Sequence, residues 1–176
     1  MRAPSNKPHT EKIKDKNPGS KATKKRGKSK PEALKVGFTG TQNGLSPEQR
    51  SALLTTLLDL TGNIEAHHGM CVGADQEFHD MVRDNYAPDH RFIVGHPPRD
   101  KRNYVACEVD DTRDAKRYDD RNRDIVNESQ ILVACPRSAE LTRSGTWSTV
   151  RYARSMAKTI KIILPNGSIQ IENGSE

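Results

Sequence analysis

A short apolar run leads into a loop of small residues at Val36-Gly37-Phe38-Thr39-Gly40-Thr41. The same transition from an apolar run to a loop of small residues occurs in His67-His68-Gly69-Met70-Cys71-Val72-Gly73-Ala74-Asp75. A third such transition lies between Ile131 and Trp147. In a parallel sheet, the strand ends and the N-termini of the following helices meet along one edge, where unpaired backbone N–H groups face outward. The sequence therefore predicts an anion site at this edge, of a kind suited to phosphate.

From Lys35 onward, short β-like runs alternate with helical periods, which is the pattern of consecutive βαβ units. Residues 99–117 lack periodicity and are rich in charge, so they form a surface insertion. This pattern predicts an α/β fold with a doubly wound, mostly parallel sheet of five or six strands. The expected strands are 36–38, 64–67, 91–94, 131–135, 161–164 and, as a short sixth, 169–171.

The helical segments of the prediction have clear start signals. Ser46-Pro47-Glu48-Gln49 is a helix start of the capping-box type, with serine as the N-cap and proline at the first helical position. The second and third helices are expected over 73–86 and 118–129, and the fourth begins near Trp147. Each helix lies between two strands, as βαβ units require.

Charge divides the chain into two parts. Residues 1–35 contain 12 Lys and Arg against three acids, whereas residues 36–176 contain 17 basic and 20 acidic residues. The first part has almost no large apolar residues, so it cannot bury enough surface to offset the entropy lost on ordering. We therefore expect a disordered basic tail over residues 1–34 and one folded domain over residues 35–176.

A compact basic cluster lies inside the predicted tail. It consists of Lys24, Lys25, Arg26, Lys28 and Lys30. Nucleic acid, an anionic membrane surface and an import receptor are all partners that such a cluster attracts. A solubilising spacer fits the cluster equally well, because charge runs bind polyanions without specificity.

Composition limits the compartment and the cofactor chemistry. The chain has no run of 18 apolar residues, so we predict no membrane span. Cys71, Cys107 and Cys135 are too few and too scattered for a disulfide framework, which favours a reducing, cytoplasmic compartment. His67, His68 and Cys71 could supply part of the ligand set of a metal ion, but no second cysteine or histidine pair lies at ligand spacing. We therefore predict neither a metal nor a cofactor.

Ten residues in the loops and on one helix are the candidate ligand contacts. Small residues let a ligand approach the backbone, and hydroxyl groups donate to phosphate oxygens. A helix start adds the attraction of its dipole for an anion, and arginine binds phosphate in a bidentate manner. The ten residues are Gly40, Thr41, Gly73, Ala74, Asp75, Arg121, Asn122, Ser144, Gly145 and Thr146.

Structural alternatives exist for three of these residues. Asp75 stands at a helix start, where a carboxylate either caps the helix or accepts a hydrogen bond from a ribose hydroxyl. Arg121 and Asn122 follow two acids, so they fit a solvated helix face with ion pairs as well as a ligand site. Periodicity does not distinguish these alternatives.

The ordered set of Gly37 to Thr41, His67 to Asp75, Arg121-Asn122 and Ser144 to Thr149 resembles the SLOG superfamily of Rossmann-like proteins. This superfamily includes the Lonely Guy phosphoribohydrolases, the single-strand-DNA-binding core of DNA processing protein A and the YspA-like group. The likeness covers about residues 35–167 and is greatest to the YspA-like group. It implies a Rossmann-like fold, a nucleotide or nucleotide-derived ligand over the carboxyl edge of the sheet, and a homodimer.

The resemblance leaves the reaction open. Lonely Guy enzymes carry a Gly-Gly-x-Gly-Thr-x-x-Glu loop whose glutamate serves hydrolysis of an N-glycosidic bond, and the resemblance puts Thr149 at that position. A hydroxyl group does not act as a general base near neutral pH without a partner. The resemblance matches Arg121 to the ligand-binding arginine of the family, and Asp75 and Arg121 are the catalytic candidates.

Three functions are therefore compatible with the sequence. The first is a nucleotide-binding sensor or signalling module whose tail tethers it to nucleic acid. The second is an N-glycosidase or phosphoribohydrolase that acts on nucleoside monophosphates through Asp75 or through Glu108 of the insertion. The third is single-stranded nucleic-acid binding of the type found in DNA processing protein A.

Overall fold

The computed structural model describes residues 32–174, which form a single sheet covered by helices. Every neighbouring strand pair is parallel except the last pair. The strand order is β4-β3-β2-β1-β5-β6-β7. A short 3-10 helix, Pro88–His90, precedes β3. The elements are β1 (Ala33–Gly40), α1 (Pro47–Leu58), β2 (Asn63–His68), α2 (Ala74–Asn85), β3 (Arg91–Gly95), β4 (Asp111–Thr112), α3 (Tyr118–Glu128), β5 (Ile131–Cys135), α4 (Gly145–Ser155), β6 (Thr159–Ile163) and β7 (Ile169–Glu172).

The sheet winds outward in both directions from β1. This strand pairs with β2 on one side and with β5 on the other. α1 and α2 bury Leu53 and Phe78 against one face of the sheet, and α3 and α4 bury Val126 and Trp147 against the opposite face. The direction of winding reverses between β1 and β5, which is the place where sheets of this kind bind ligands.

The α/β fold predicted from the sequence is confirmed, and the sheet has one strand more than the expected six. The additional strand, β4, lies inside the stretch 99–117 that the sequence assigns to a surface insertion. Asp111 and Thr112 pair with Val94 and Gly95. A strand of two exposed residues carries no alternation of apolar and polar side chains, so periodicity gives no sign of it.

The first strand begins earlier than the sequence indicates. β1 starts at Ala33, so Ala33 and Leu34, which the sequence analysis assigns to the tail, belong to the sheet and pair with Asn63 and Ile64. Residues 1–31 of the predicted tail, with the basic cluster from Lys24 to Lys30, lie outside the described residues. None of the helices between residues 32 and 174 has the length and apolar character needed to cross a bilayer.

The capping box predicted for α1 is present and connects this helix to the ends of two strands. Ser46 Oγ accepts a hydrogen bond from the Gln49 backbone N–H at 3.0 Å, and Gln49 Oε1 accepts from the Ser46 backbone N–H at 3.2 Å. Gln49 Nε2 also donates to the carbonyls of Pro136 and Ile163, at 2.8 and 2.9 Å. The start of α1 therefore fixes the chain directly after β5, where one wall of the candidate site begins.

Candidate functional site

A crevice of about 370 Å³ opens at the carboxyl edge of the sheet, where β1 and β5 end. Its walls are the loop after β1, the loop before α2, the first turn of α3 and the loop between β5 and α4. Elements far apart in sequence meet here because parallel strands end at the same edge. Of the ten candidate ligand contacts, the residues that line the crevice are Gly40, Thr41, Asp75, Arg121, Asn122, Ser144, Gly145 and Thr146.

The other two candidates, Gly73 and Ala74, join α2 to the loop after β1. Gly73 has a φ of 86°, and a Cβ atom at this position would overlap the carbonyl of Gln42. Ala74 donates its backbone N–H to the Thr41 carbonyl at 3.0 Å, and its side chain is fully buried. These contacts give Gly73 and Ala74 a packing role behind the crevice wall, since neither residue lines the crevice itself.

Arg121 and Asp75 form a buried ion pair in the lining of the crevice. Arg121 Nη1 lies 3.6 Å from Asp75 Oδ2, and Arg121 Nη2 lies 3.5 Å from Cys71 Sγ. The Cys71 backbone N–H donates to Asp75 Oδ2 at 3.3 Å. Asp75 therefore binds the loop that precedes α2 as well as the guanidinium group. Arg121 is buried here, not part of a solvated helix face.

The guanidinium group of Arg121 packs directly against the backbone of Gly69. A Cβ atom at position 69 would overlap Arg121 Nη1 and would lie 2.7 Å from Asp75 Oδ2. The next residue, Met70, has a left-handed φ of 52°, which is a strained value for a side chain other than glycine. The backbone at this point is therefore shaped to leave room for Arg121.

Burial changes the acid–base properties of this lining. It raises the pKa of Asp75, although the Arg121 guanidinium and the backbone N–H groups of Cys71 and Gly69 act in the opposite direction. Burial also raises the pKa of the Cys71 thiol, and the Asp75 carboxylate adds to that rise. A buried carboxyl group with a perturbed pKa in a crevice is a typical feature of functional sites.

The N-terminus of α4 forms the opposite wall. Ser144 is the N-cap residue, and its Oγ accepts a hydrogen bond from the Trp147 backbone N–H at 3.4 Å. The first backbone N–H groups of a helix have no acceptor within the helix, so those of Gly145 and Thr146 are available to an anion. A Cβ atom at Gly145 would meet no other atom within 4 Å, so open space lies beside this glycine.

Two further arginines, Arg137 and Arg143, line the crevice and were not among the ten candidates. Both lie in the loop between β5 and α4. The small residues of this loop predict close backbone approach, whereas its basic residues follow no motif that marks them as ligand contacts. A count of positive charges in each loop at the carboxyl edge would have identified both arginines.

Two buried polar atoms of the crevice lining have no hydrogen-bond partner within residues 32–174. They are Arg121 Nε and the Tyr118 hydroxyl. Most buried donors in folded proteins have a partner, so each exception needs an explanation. Both side chains line the crevice, but neither atom is exposed to solvent, so a ligand in the crevice would reach them only after these side chains move.

The acids considered for hydrolysis differ in position. Asp75 lines the crevice, whereas Glu108 is 84% exposed, pairs with Arg83 at 3.3 Å and is not part of the lining. Thr149, which the resemblance matches to the Lonely Guy glutamate, donates its hydroxyl to the Gly145 carbonyl at 3.0 Å. This hydroxyl therefore satisfies the backbone of α4, and Asp75 is the candidate acid that can reach a ligand.

Comparison with solved structures confirms the Rossmann-like fold that the sequence predicts. The molybdenum cofactor binding protein from the phototrophic bacterium Rippkaea orientalis matches with a TM-score of 0.57 and 20% identity, over 76% of this chain and 78% of that chain. The protein TM1055 matches with a TM-score of 0.51 and 17% identity, over 72% of each chain.

DNA processing protein A from Helicobacter pylori, studied for its binding of single-stranded DNA, has the same fold. It matches with a TM-score of 0.51 and 16% identity, over 73% of this chain and 64% of that chain. No family model matches the sequence, and no curated protein matches it either. The comparisons therefore establish the fold of this chain.

Proposed function

We propose that this chain binds a nucleotide or nucleotide-derived small molecule in the crevice at the carboxyl edge of its sheet. The observation that carries the proposal is the convergence of the α4 N-terminus with Arg121, Arg137 and Arg143 on one crevice, at the point where the winding reverses. Helix N-termini and guanidinium groups both attract phosphate. The crevice volume of about 370 Å³ is within the usual range of small-molecule sites.

The lining divides into two regions with different chemistry. Gly40, Thr41, Gly145 and Thr146 offer hydroxyl groups and close backbone approach, so we assign the phosphate to them. Arg121 and Asn122 bind phosphate or ribose, and Asp75 beside them accepts from a sugar hydroxyl or base N–H. Gly73 and Ala74 contribute from behind by fixing the loop after β1.

The binding proposal is tested by calorimetric titration with the four ribonucleoside 5′-monophosphates. Arg121→Lys retains the positive charge but removes the planar fork, so we expect the affinity to fall at least about tenfold. Arg123→Lys is the matched control, because Arg123 lies on the same helix, with its guanidinium 5.4 Å from the Tyr152 ring and outside the crevice lining. Equal affinities in the two variants would argue against the assignment.

A second candidate function is cleavage of an N-glycosidic bond, and the environment of Asp75 is what favours it. Burial raises the pKa of Asp75 above that of an ordinary aspartate, and a raised pKa makes a carboxyl group better suited to proton transfer. The test is incubation with the same nucleoside monophosphates, followed by chromatography for the free base. Release that Asp75→Asn abolishes would support an enzyme, whereas binding without release would support a sensor.

The basic N-terminal segment is the third part of the proposal, and we assign it the tethering of the domain to nucleic acid. Its cluster from Lys24 to Lys30 supplies the charge that phosphate backbones attract. Titration of a short single-stranded DNA should show affinity that falls steeply with salt and is lost when residues 1–31 are deleted. Salt-sensitive binding that survives the deletion would instead assign DNA to the folded domain, as in the third function considered above.

A further inference from the structure

A second group of polar side chains lies beneath α3, separate from the crevice. His67 of β2, His96 directly after β3 and Glu128 at the end of α3 place potential ligand atoms within 4.8 Å of one another. His67 Nδ1 lies 3.0 Å from His96 Nε2 and 3.9 Å from Glu128 Oε2. None of the three residues belongs to the crevice lining.

The burial of this group favours neutral imidazoles. Both histidine side chains are buried, and Glu128 is only partly exposed. A neutral imidazole nitrogen is the form that coordinates a metal, and burial disfavours the charged form of a side chain.

A carboxylate lies beside the far ring nitrogen of His67. Glu65 Oε1 lies 3.2 Å from His67 Nε2, and Lys35 Nζ lies 3.5 Å from the same oxygen. A carboxylate near Nε2 favours the tautomer with the ring proton on that nitrogen, which leaves the Nδ1 lone pair on the side of His96 and Glu128. Histidine ligands of metal ions commonly have such a carboxylate partner.

The remaining surroundings hold Glu128 in place. Arg113 donates Nε and Nη2 to Glu128 Oε2 at 2.8 and 2.6 Å, which fixes the carboxylate next to the histidines. Glu65 and Glu128 also line a surface hollow, together with Lys35 and Lys158.

We propose that His67, His96 and Glu128 form a binding site for a divalent transition metal of the zinc type. The ligand atoms are His67 Nδ1, His96 Nε2 and a carboxylate oxygen of Glu128. Two imidazoles and one carboxylate are a ligand set that zinc uses when a fourth position stays open. Two nitrogen ligands of tetrahedral zinc are about 3.3 Å apart, and the two histidine nitrogens are 3.0 Å apart.

This site differs from the partial ligand set considered in the sequence analysis. His68 points to the opposite face of the sheet, where its Nε2 lies 3.1 Å from His79 Nδ1 on α2. His96 and Glu128 come from distant parts of the chain, so no ligand spacing in the sequence connects them to His67. The absence of such spacing is the reason for the sequence-based expectation that the chain binds no metal.

The test uses the untagged full chain, stripped of metal with a chelator and titrated with Co²⁺ as a visible probe of zinc sites. We expect one Co²⁺ per chain with the absorption of a tetrahedral complex, and its displacement by Zn²⁺. His96→Gln and Glu128→Gln should each weaken Co²⁺ binding at least about tenfold, and Glu65→Gln should weaken it through His67. His90→Gln, at an exposed histidine, is the matched control and should bind as the wild type does.

Two results would overturn the proposal and leave a hydrogen-bonded histidine pair. One is a wild-type protein that shows no Co²⁺ spectrum and no rise of unfolding temperature with Zn²⁺. The other is unchanged Co²⁺ affinity in Glu128→Gln and His96→Gln. If His96→Gln does not fold, Glu128→Gln and the wild-type titration decide the question, because Glu128 lies at a partly exposed helix end.

Discussion

The Arg121 side chain reaches the crevice because position 69 has no side chain. Its guanidinium group occupies the space that a Cβ atom at position 69 would fill, and it pairs with Asp75. Its Nε has no hydrogen-bond partner among the described residues. Arginine loses less conformational freedom on binding when its fork is already held in place. We therefore regard the Gly69 contact as the feature that orients Arg121 for an anionic ligand.

Gly69→Ala should weaken nucleotide binding while the domain stays folded. The new Cβ atom would displace the Arg121 guanidinium, which is the movable end of a long side chain, so the main loss is in ligand orientation. We expect the Kd for the best-bound nucleoside monophosphate to rise at least about tenfold, as measured by calorimetry.

Gly62→Ala is the control with the opposite pattern of effects. Gly62 has a φ of 86° and no atom within 4 Å of an added Cβ, so alanine there is strained without touching the crevice. It should lower the unfolding free energy and leave the affinity unchanged. An affinity loss in Gly62→Ala equal to that in Gly69→Ala would show that the effect comes from general destabilisation.

At the level of residues, the sequence identifies side chains by type but not by what they touch. Small and hydroxyl-bearing residues after each strand are visible as a pattern, which is why Gly40, Thr41, Gly145 and Thr146 were expected at the crevice. The overlap of Arg121 with Gly69 depends on how closely α3 packs against the loop after β2. That distance is a property of tertiary packing, and no local pattern encodes it.

The start of α1 is held by side-chain hydrogen bonds that a sequence pattern reveals only in part. The capping box at Ser46 was predicted, because serine, proline and glutamine stand at the required spacing. The bonds from Ser46 Oγ to the Pro165 carbonyl at 2.6 Å, and from Gln49 to the strand ends, involve residues more than 80 positions away. Local spacing therefore predicts the cap but not its tertiary partners.

Ser46→Ala should destabilise the domain by about 0.5–2 kcal/mol, because it removes the N-cap of α1 together with the bond to Pro165. Ser51→Ala is the matched control, since Ser51 is exposed in the same helix and alanine is the better helix former there. Urea unfolding followed by circular dichroism measures both variants. Equal midpoints for Ser46→Ala and the wild type would contradict the structural role of the cap.

α4 is joined to β7 by an ion-pair network that should make stability depend on pH. Arg154 Nε and Nη2 donate to Glu172 at 2.8 and 2.7 Å, and Nη1 donates to Glu140 at 2.8 Å. Hydrogen bonds from Arg154 lower the pKa of both Glu140 and Glu172 in the folded state. Their stabilisation is therefore present above the unfolded glutamate pKa of about 4.3 and is lost as the pH falls below it.

Arg154→Met should consequently reduce the unfolding free energy at pH 7 by less than about 1 kcal/mol, because the three side chains are partly exposed. The difference from the wild type should shrink as the pH is lowered from 7 toward about 3, because the two glutamates take up protons over this range. Urea unfolding of the two proteins at both pH values measures it. A difference that stays constant or grows at low pH would rule out the network as its source.

At the level of the whole molecule, the alternation of strands and helices predicts the fold class, but not which strands are neighbours. The pattern of apolar runs predicts six of the seven strands close to their observed bounds, including the short last one. The neighbour relation of β1 and β5 arises from a long crossover between them, and this relation creates the crevice. The proposed metal site depends on the same packing, because its residues come from β2, α3 and the end of β3. The homodimer implied by the SLOG resemblance stays a prediction.

The most direct test compares the thermal unfolding of the wild type and of Gly145→Glu, with and without each ribonucleoside 5′-monophosphate. This comparison distinguishes the proposed anion site from an empty surface hollow. A Cβ atom at position 145 would meet no atom within 4 Å. A carboxylate in the first turn of α4 interacts favourably with the helix dipole. The variant should therefore fold at least as stably as the wild type, while its carboxylate repels phosphate.

We predict that at least one nucleotide raises the Tm of the wild type through binding to the folded state, and that Gly145→Glu shows no such rise. A wild-type Tm that none of the nucleotides changes, or an equal rise in both proteins, would contradict nucleotide binding at the carboxyl edge of the sheet.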